Sequence, residues 1–131
     1  MEFSLSEQSA LYLGRIQDFM DTYFVPRNTL WHNEVKAGSF PVSFMADLKA
    51  LAKSEGLWNL FLPTLNEEEH GHGLSTLDYA PLAEAMGRIS WATEVFNCSA
   101  PDTGNMKLLH MFAFPKQRRP SKTILIFSSD E

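Results

Sequence analysis

The sequence contains a single cysteine, Cys98, among its 131 residues. One cysteine excludes an intramolecular disulfide and a zinc site built from several cysteines, so cysteine usage indicates no compartment. The thiol itself could be reactive if a helix N-terminus or a cation lowered its pKa. Single cysteines on helical faces are more often small core residues, and we therefore predict a core position for Cys98.

Basic residues are also scarce. Eleven lysines and arginines stand against sixteen aspartates and glutamates, which gives a formal net charge of -5. The chain thus has no broad basic face to neutralise a phosphate backbone, and we expect no nucleic-acid partner. The one basic cluster, residues 116–119, lies between Pro115 and Pro120, which favours a solvated linker.

Long apolar runs are absent as well. No stretch approaches the roughly 20 residues that a membrane-spanning helix needs. The N-terminus has no basic segment followed by an apolar run, so we expect neither a secretory signal nor a membrane span. We predict a soluble cytoplasmic protein, with the mitochondrion or peroxisome as the alternatives in a eukaryote.

What is present is enough apolar side chain for one modest core. Apolar residues make up 44% of the chain and include ten phenylalanines, which indicates one folded domain. They recur at three- and four-residue spacing, which is typical of helices that bury one face. We predict an all-α domain of about five or six helices, in the segments 4–25, 28–37, 39–55, 75–87, 91–98 and 102–112.

Several side chains predict where these helices begin and end. Ser4 and Glu7 have the spacing of a capping box at the start of the first helix. Ser39 can cap a later helix that carries Pro41 in its first turn, and Gly56 can end it in the left-handed conformation.

The second half of the chain has its own boundary signals. Ser75 and Asp78 form another capping-box pattern, and the helix that follows contains Pro81, which should bend it. Asp102 can cap the last helix, which places three apolar residues on one face: Met106, Leu109 and Phe112. The apolar segment 57–63 is too short for an amphipathic helix, and we expect it to run extended beneath the helices.

Four segments occur in one order and at one spacing, and together they resemble the acyl-CoA dehydrogenases. They are residues 56–63 (GLWNLFLP), 71–75 (GHGLS), 77–88 (LDYAPLAEAMGR) and 96–106 (FNCSAPDTGNM). The last is the most specific. The resemblance covers residues 1–112 and corresponds to the family's N-terminal helical domain.

The resemblance implies a fold and a role. Relatives combine an N-terminal helical domain, a middle β domain and a C-terminal helical bundle, with FAD held between the last two. A carboxylate from the C-terminal part takes the α-proton of the acyl-CoA thioester, and a hydride leaves the β-carbon for the flavin. The N-terminal domain contributes part of the acyl-chain slot, and the corresponding substrate-binding positions here are Val95, Phe96, Ser99, Ala100 and Thr103.

The small side chains of Ser99 and Ala100 would leave this slot deep, because bulk at the end of a dry slot sets the chain length that fits. We therefore expect an intact relative of this kind to prefer medium or long acyl chains.

The sequence departs from the family pattern after Phe112. Residues 113–131 form a divergent basic tail, expected to be flexible, whose apolar end at 124–127 has the pattern of a strand. The flavin contacts of the family are not found, so we expect no catalytic residue and no bound FAD in this chain alone. The hypothesis is an inactive part of an acyl-CoA dehydrogenase. Its rival is a non-enzymatic helical module that binds itself or a full-length dehydrogenase through an exposed apolar face.

Three other groups of residues could suggest a site. His70 and His72, beside Glu67–Glu69, could contribute to a metal site, but no further ligand is evident and a solvated loop is favoured. Glu84 and Glu94 could form an acid/base pair, but each has polar neighbours and no obvious partner, which favours solvated surface. The loop 71–75 precedes a helix and could bind an anion, but it lacks the full glycine pattern of a nucleotide site.

Overall fold

The computed structural model describes residues 4–62 and 72–114. In these two ranges every regular element is helical, which confirms the predicted all-α class. We number the α-helices in chain order: α1 (Glu7–Phe19), α2 (Asn28–Lys36), α3 (Met45–Ser54), α4 (Thr76–Met86), α5 (Ala92–Val95) and α6 (Asp102–Phe112). The loop around His70, predicted to be solvated, and the predicted strand at 124–127 lie outside the described residues.

The first helix begins two residues later than its predicted capping box implied. Its N-cap is Ser6, whose hydroxyl accepts a hydrogen bond from the backbone N–H of Ser9, so the predicted pairing of Ser4 with Glu7 is wrong. Ser6 is preferred because its side chain also donates to Asp78 at 2.6 Å, a contact with α4 that local sequence does not reveal. After α1 the chain continues through a π-helical turn and a 3-10 turn containing Pro26, which is where the proline was expected to interrupt the helix.

The third helix begins at Met45, and the predicted cap at Ser39 with Pro41 in the first turn is therefore wrong. Instead, the connection from α2 to α3 is held by hydrogen bonds between Ser43, just before α3, and Glu34 of α2. The backbone N–H and the hydroxyl of Ser43 both donate to the carboxylate of Glu34, at 2.7 and 2.6 Å. These two bonds lower the pKa of Glu34. The predicted end of α3 is confirmed, since Gly56 has a φ of +68°.

The fourth helix begins as predicted. The hydroxyl of Ser75 accepts from the backbone N–H of Asp78, and the Asp78 carboxylate accepts from the backbone N–H of Ser75. The same carboxylate accepts from the Ser6 hydroxyl, and the Ser9 hydroxyl donates to the carbonyl of Asp78. The hydrogen bonds that its carboxylate accepts from the Ser6 hydroxyl, the Ser75 hydroxyl and the Ser75 backbone N–H, with that from Ser6 the largest cause, lower the pKa of Asp78. The start of α4 is thus fixed against the start of α1.

The hydrophobic core lies among α1, α3, α4 and α5. The predicted apolar face of the first helix is confirmed in part: Ile16, Phe19, Met20 and Phe24 are buried, whereas Tyr12, Leu13 and Tyr23 are half-buried against the same core. The Phe24 ring lies 4.7 Å from the ring of Trp91 and 5.4 Å from that of Phe96, measured between centroids. An aromatic cluster therefore joins the end of the first helical run to α5.

The segment 57–62 is buried, as expected, but it is not extended. Asn59 has a φ of +62°, and the backbone N–H of Leu62 donates to the carbonyl of Asn59, so the chain turns here. This turn places Leu57 and Leu60 in the main core and Leu62 in a smaller cluster with Met106 of α6. The expected extended conformation is wrong because one asparagine takes the left-handed region.

The last helix has one buried residue within its bounds. Met106 is the buried residue of α6, whereas Leu109 is half-buried and Phe112 is exposed, so the predicted three-residue stripe is only partly buried. Asp102 is the first helical residue rather than the cap, since the N-cap position belongs to Pro101. Ring closure fixes φ of Pro101, so it begins a helix without strain.

Candidate functional site

The five positions singled out from the sequence fall into two groups. Val95 and Phe96 are core residues with 0% and 1% of their surface exposed. The Phe96 ring packs against the rings of Phe19 and Phe24, at 5.5 and 5.4 Å between centroids. These two side chains therefore support the end of α5 from within.

The other three positions lie together in one turn between α5 and α6. Ser99 and Thr103 are half-buried and Ala100 is exposed. The backbone N–H of Thr103 donates to the carbonyl of Ser99 at 3.3 Å, and the Ala100–Pro101 peptide bond is cis. We call residues 99–103 the acyl turn, after the role that the family resemblance predicts for Ser99, Ala100 and Thr103. It presents small side chains at the surface, next in the chain to a well-packed core.

A buried amide pair stands at the entrance to the acyl turn. Asn97 donates from Nδ2 to Oδ1 of Asn59 at 2.6 Å, and 6% of Asn97 and 0% of Asn59 are exposed. Both residues have positive φ, +59° and +62°. Sequence reasoning assigned neither a role. The signal that could have found them is an asparagine inside an apolar run, because asparagine is the non-glycine residue that most readily adopts the left-handed region.

Cys98 follows this pair and is half-buried against the main core, so its predicted core position is confirmed in part. Its sulfur lies 3.6 Å from the sulfur of Met86, and Tyr79 lies beside both. Burial raises the pKa of the Cys98 thiol to about 11, although a hydrogen bond with Tyr79 acts in the opposite direction. Burial, and then the neighbouring Cys98, raise the pKa of Tyr79 above its ordinary range. The thiolate is the nucleophilic form, so this environment disfavours reactivity.

The raised pKa predicts slow alkylation of the folded chain. At pH 8 a thiol of pKa about 11 is roughly one part in a thousand thiolate, against roughly a quarter for an exposed cysteine of ordinary pKa. We expect iodoacetamide to modify native Cys98 on the order of a hundred times more slowly than the urea-unfolded chain. The native rate should still rise with pH above 10. A native rate that levels off near pH 8.5 would contradict the assignment.

The same shift has a consequence for stability. The folded state holds its thiol proton more tightly than the unfolded state does, so unfolding releases a proton between the two pKa values. Cys98 therefore contributes stability below about pH 8.5, and that contribution is lost as the pH rises toward about 11.

The carboxylates weighed from the sequence do not form an acid/base pair. Glu84 is exposed. Glu94 does have a partner, contrary to expectation, because its Oε1 lies 3.0 Å from Nζ of Lys49 in a partly buried salt bridge. This ion pair joins α5 to α3 and so gives Glu94 a structural role.

The histidine loop is described only from His72 onward. Tyr12 OH and Nδ1 of His72 are 2.8 Å apart, and the side chain of Gln8 donates to the His72 carbonyl at 3.0 Å. Within the described ranges no group of three or more His, Cys, Asp or Glu side chains could hold a metal ion. What the structure shows of His72 is a contact with α1.

Comparison with known proteins decides the family. The profile of the family described as acyl-CoA dehydrogenase, N-terminal domain, matches residues 6–120. The chain belongs to the acyl-CoA dehydrogenase family. The family acts on acyl-CoA and is generally FAD-dependent.

Individual relatives agree with this assignment. The chain is similar to FadE2 of Mycobacterium tuberculosis, described as an acyl-CoA dehydrogenase, with 40% identity over 124 residues that cover 90% of this chain. It is 51% identical over 80 residues, or 60% of its length, to mouse acyl-CoA dehydrogenase family member 10. Its fold matches that of a protein from Mycobacterium abscessus described as an acyl-CoA dehydrogenase, with a TM-score of 0.80 and 36% identity over 95% of this chain.

The match involves only a part of each relative. The chain spans 29% of FadE2, 8% of mouse family member 10 and 32% of the solved M. abscessus chain. In the part of this chain that the structure describes, no helix is both long and apolar enough to cross a membrane.

Proposed function

We propose that this chain acts as the N-terminal helical domain of an FAD-dependent acyl-CoA dehydrogenase, and that the acyl turn forms part of the wall of the acyl-chain slot. The observation that carries the proposal is the pairing of small, accessible side chains with a rigid apolar support. Ser99, Ala100 and Thr103 lie at the surface of one turn, and the preceding Val95 and Phe96 are locked in the core.

This arrangement suits an alkyl chain for a physical reason. Apolar groups bind in slots that are largely formed beforehand and that lose little order on binding. The aromatic packing of Phe96 fixes the backbone that leads into the acyl turn. Small side chains at Ser99 and Ala100 leave space for methylene groups, which supports the preference for medium or long acyl chains.

We further propose that the chain does not dehydrogenate acyl-CoA by itself. A general base is favoured by a raised carboxylate pKa, but Glu34 and Asp78 have theirs lowered by hydrogen bonds from serine. A flavin site needs polar groups directed into a cleft. The buried side-chain nitrogen without a hydrogen-bond partner in the described residues is Nε1 of Trp31, whose ring stacks on Trp91 instead.

The test combines flavin retention with turnover. The purified chain is incubated with FAD, dodecanoyl-CoA and an artificial electron acceptor, then desalted. We expect colourless protein and no reduction of the acceptor, because the proposal places flavin and base in other polypeptide. Yellow protein that reduces the acceptor would contradict the proposed inactivity.

A second candidate function is a non-enzymatic interaction module. The observation that favours it is the exposed apolar surface of α6 and the residues after it: Leu108, Met111, Phe112 and Phe114. Such a surface typically marks a contact with another protein. The occupant would be a second copy of this chain or a full-length dehydrogenase. A cytoplasmic location remains a prediction under either function.

Sedimentation of the chain, together with its binding of dodecanoyl-CoA, distinguishes the two candidates. A monomer at micromolar concentration that binds dodecanoyl-CoA favours the pocket domain. A defined oligomer that Phe112→Asp returns to monomer, with no acyl-CoA binding, favours the module.

A further inference from the structure

Asn59 and Asn97 share three unusual properties. They are buried, they are polar, and they are the two non-glycine residues with positive φ between residues 4 and 62 or 72 and 114. A left-handed backbone costs a side-chain-bearing residue free energy, and burying an amide costs more unless it is hydrogen-bonded. Two such residues in contact, 38 positions apart, indicate a built feature rather than two separate turns.

The contacts around the pair join three parts of the fold. The side chain of Asn97 donates to Asn59 at 2.6 Å, and the backbone N–H of Asn59 donates to the carbonyl of Phe96 at 3.4 Å. Nδ2 of Asn97 also lies 3.9 Å from the sulfur of Met106, the buried residue of α6. The pair therefore connects the 57–62 turn, the end of α5 and the last helix.

The acyl turn begins directly at this junction. The backbone N–H of Asn97 donates to Glu94, and that of Cys98 donates to Thr93 at 2.8 Å, which ends α5. The direction in which the chain leaves α5 is then set by the left-handed conformation of Asn97. Because Met106 is the buried residue of α6 and contacts Nδ2 of Asn97, both ends of the acyl turn adjoin the same amide group.

We propose that the Asn59–Asn97 amide pair is the positioning device of the acyl turn. It holds Ser99, Ala100 and Thr103 in one place by fixing the turn's entrance through backbone conformation and its exit through α6. Both asparagines are positioning residues, since they act through the turn. The role of the acyl turn as a slot wall rests on the proposed function. The effect of the two asparagines on the turn's position does not.

The test uses the 131-residue chain and Asn97→Gly, Asn59→Gly and the double variant. Glycine accepts positive φ without strain, so each substitution removes the amide while leaving the backbone conformation accessible. Asn33→Gly, at an exposed position of α2, is the matched control for the general cost of an asparagine-to-glycine change. Urea unfolding gives global stability, and amide hydrogen exchange gives local opening.

We expect the backbone amides of Cys98 and Thr103 to exchange about tenfold faster in Asn97→Gly, beyond any change at the amides of Ile16 and Phe19 in α1. Asn59→Gly should have a similar effect, and the double variant should add little, because both single changes remove one shared bond. Asn33→Gly should leave the ratio of acyl-turn to α1 exchange unchanged. Equal acceleration everywhere, or fully additive single effects, would overturn the proposal.

If Asn97→Gly does not fold, Asn59→Gly and Asn97→Asp measure the same quantity. The carboxylate can still accept a bond from the Asn59 amide after that amide rotates, so Asn97→Asp should protect the acyl turn better than Asn59→Gly. A reversed order would also count against the pair.

Binding of dodecanoyl-CoA separates this inference from the proposed function. Faster exchange at the acyl turn in Asn97→Gly, together with no dodecanoyl-CoA binding by the unaltered chain, would overturn the proposed slot and leave the positioning device intact. Dodecanoyl-CoA binding that survives in Asn97→Gly, together with unchanged hydrogen exchange in the acyl turn, would overturn the positioning device and leave the slot intact.

Discussion

Truncation of Phe24 to alanine is expected to lower the free energy of unfolding by about 3–5 kcal/mol. The ring is fully buried and contacts the rings of Phe19, Trp91 and Phe96. Its removal leaves a cavity at the point where the first helical run meets α5, and the neighbouring rings are themselves held by other contacts. Incomplete collapse of that cavity adds to the lost transfer free energy.

Phe112→Ala is the matched control, because 71% of Phe112 is exposed. We expect it to change the free energy of unfolding by no more than about 0.5 kcal/mol. Urea denaturation followed by circular dichroism at the helix band measures both variants. Similar losses for the two substitutions would show that the aromatic cluster is not the core that the structure describes.

Ala100→Trp is expected to change acyl-chain selectivity. A bulky ring at an exposed position of the acyl turn should fill the far end of the proposed slot while leaving the core unchanged. In a chimaera in which residues 6–112 replace the matching segment of FadE2, we expect kcat/KM for dodecanoyl-CoA to fall on the order of tenfold, because single methylene-sized changes in such pockets already have effects of this size. Butanoyl-CoA should be affected less than about threefold, since its chain ends before the obstruction.

Ala10→Trp, at an exposed position of α1, controls for the introduction of a surface tryptophan. It should leave the ratio of the two substrates unchanged. An equal decrease for both substrates with Ala100→Trp would mean that the turn affects folding or thioester placement rather than chain length. No decrease would remove Ala100 from the slot.

Much of the helical architecture could be predicted from the sequence because its signals are local. Apolar residues at helical spacing predicted the buried face of α1, and adjacent side chains completed the capping box of Ser75 and Asp78. Gly56 marked the end of α3, since a left-handed stop needs no distant partner. These features depend on residues within one or two helical turns of each other.

The errors arose where a distant contact decided the outcome. Ser6 caps α1 in place of Ser4 because it also reaches Asp78, 72 positions away. Ser43 is bound by Glu34, and the helix after it therefore begins later than Ser39 and Pro41 suggested. Glu94 seemed unpaired only because Lys49 lies on another helix.

The candidate site shows the same division. Its residues came from a family resemblance, and the structure then separated them into core residues, Val95 and Phe96, and turn residues. The asparagines that join at the entrance of the turn could not be paired from sequence, since nothing local relates Asn59 to Asn97. Their shared left-handed conformation is visible only in the fold.

Contact between the acyl turn and an alkyl chain can be measured by nuclear magnetic resonance titration of the nitrogen-15-labelled chain. Dodecanoyl-CoA should shift the amide signals of Ser99, Ala100 and Thr103, whereas CoA without an acyl group should leave them in place. Unchanged signals at these three residues at saturating dodecanoyl-CoA, or equal shifts with CoA alone, would mean that the acyl turn does not contact the alkyl chain.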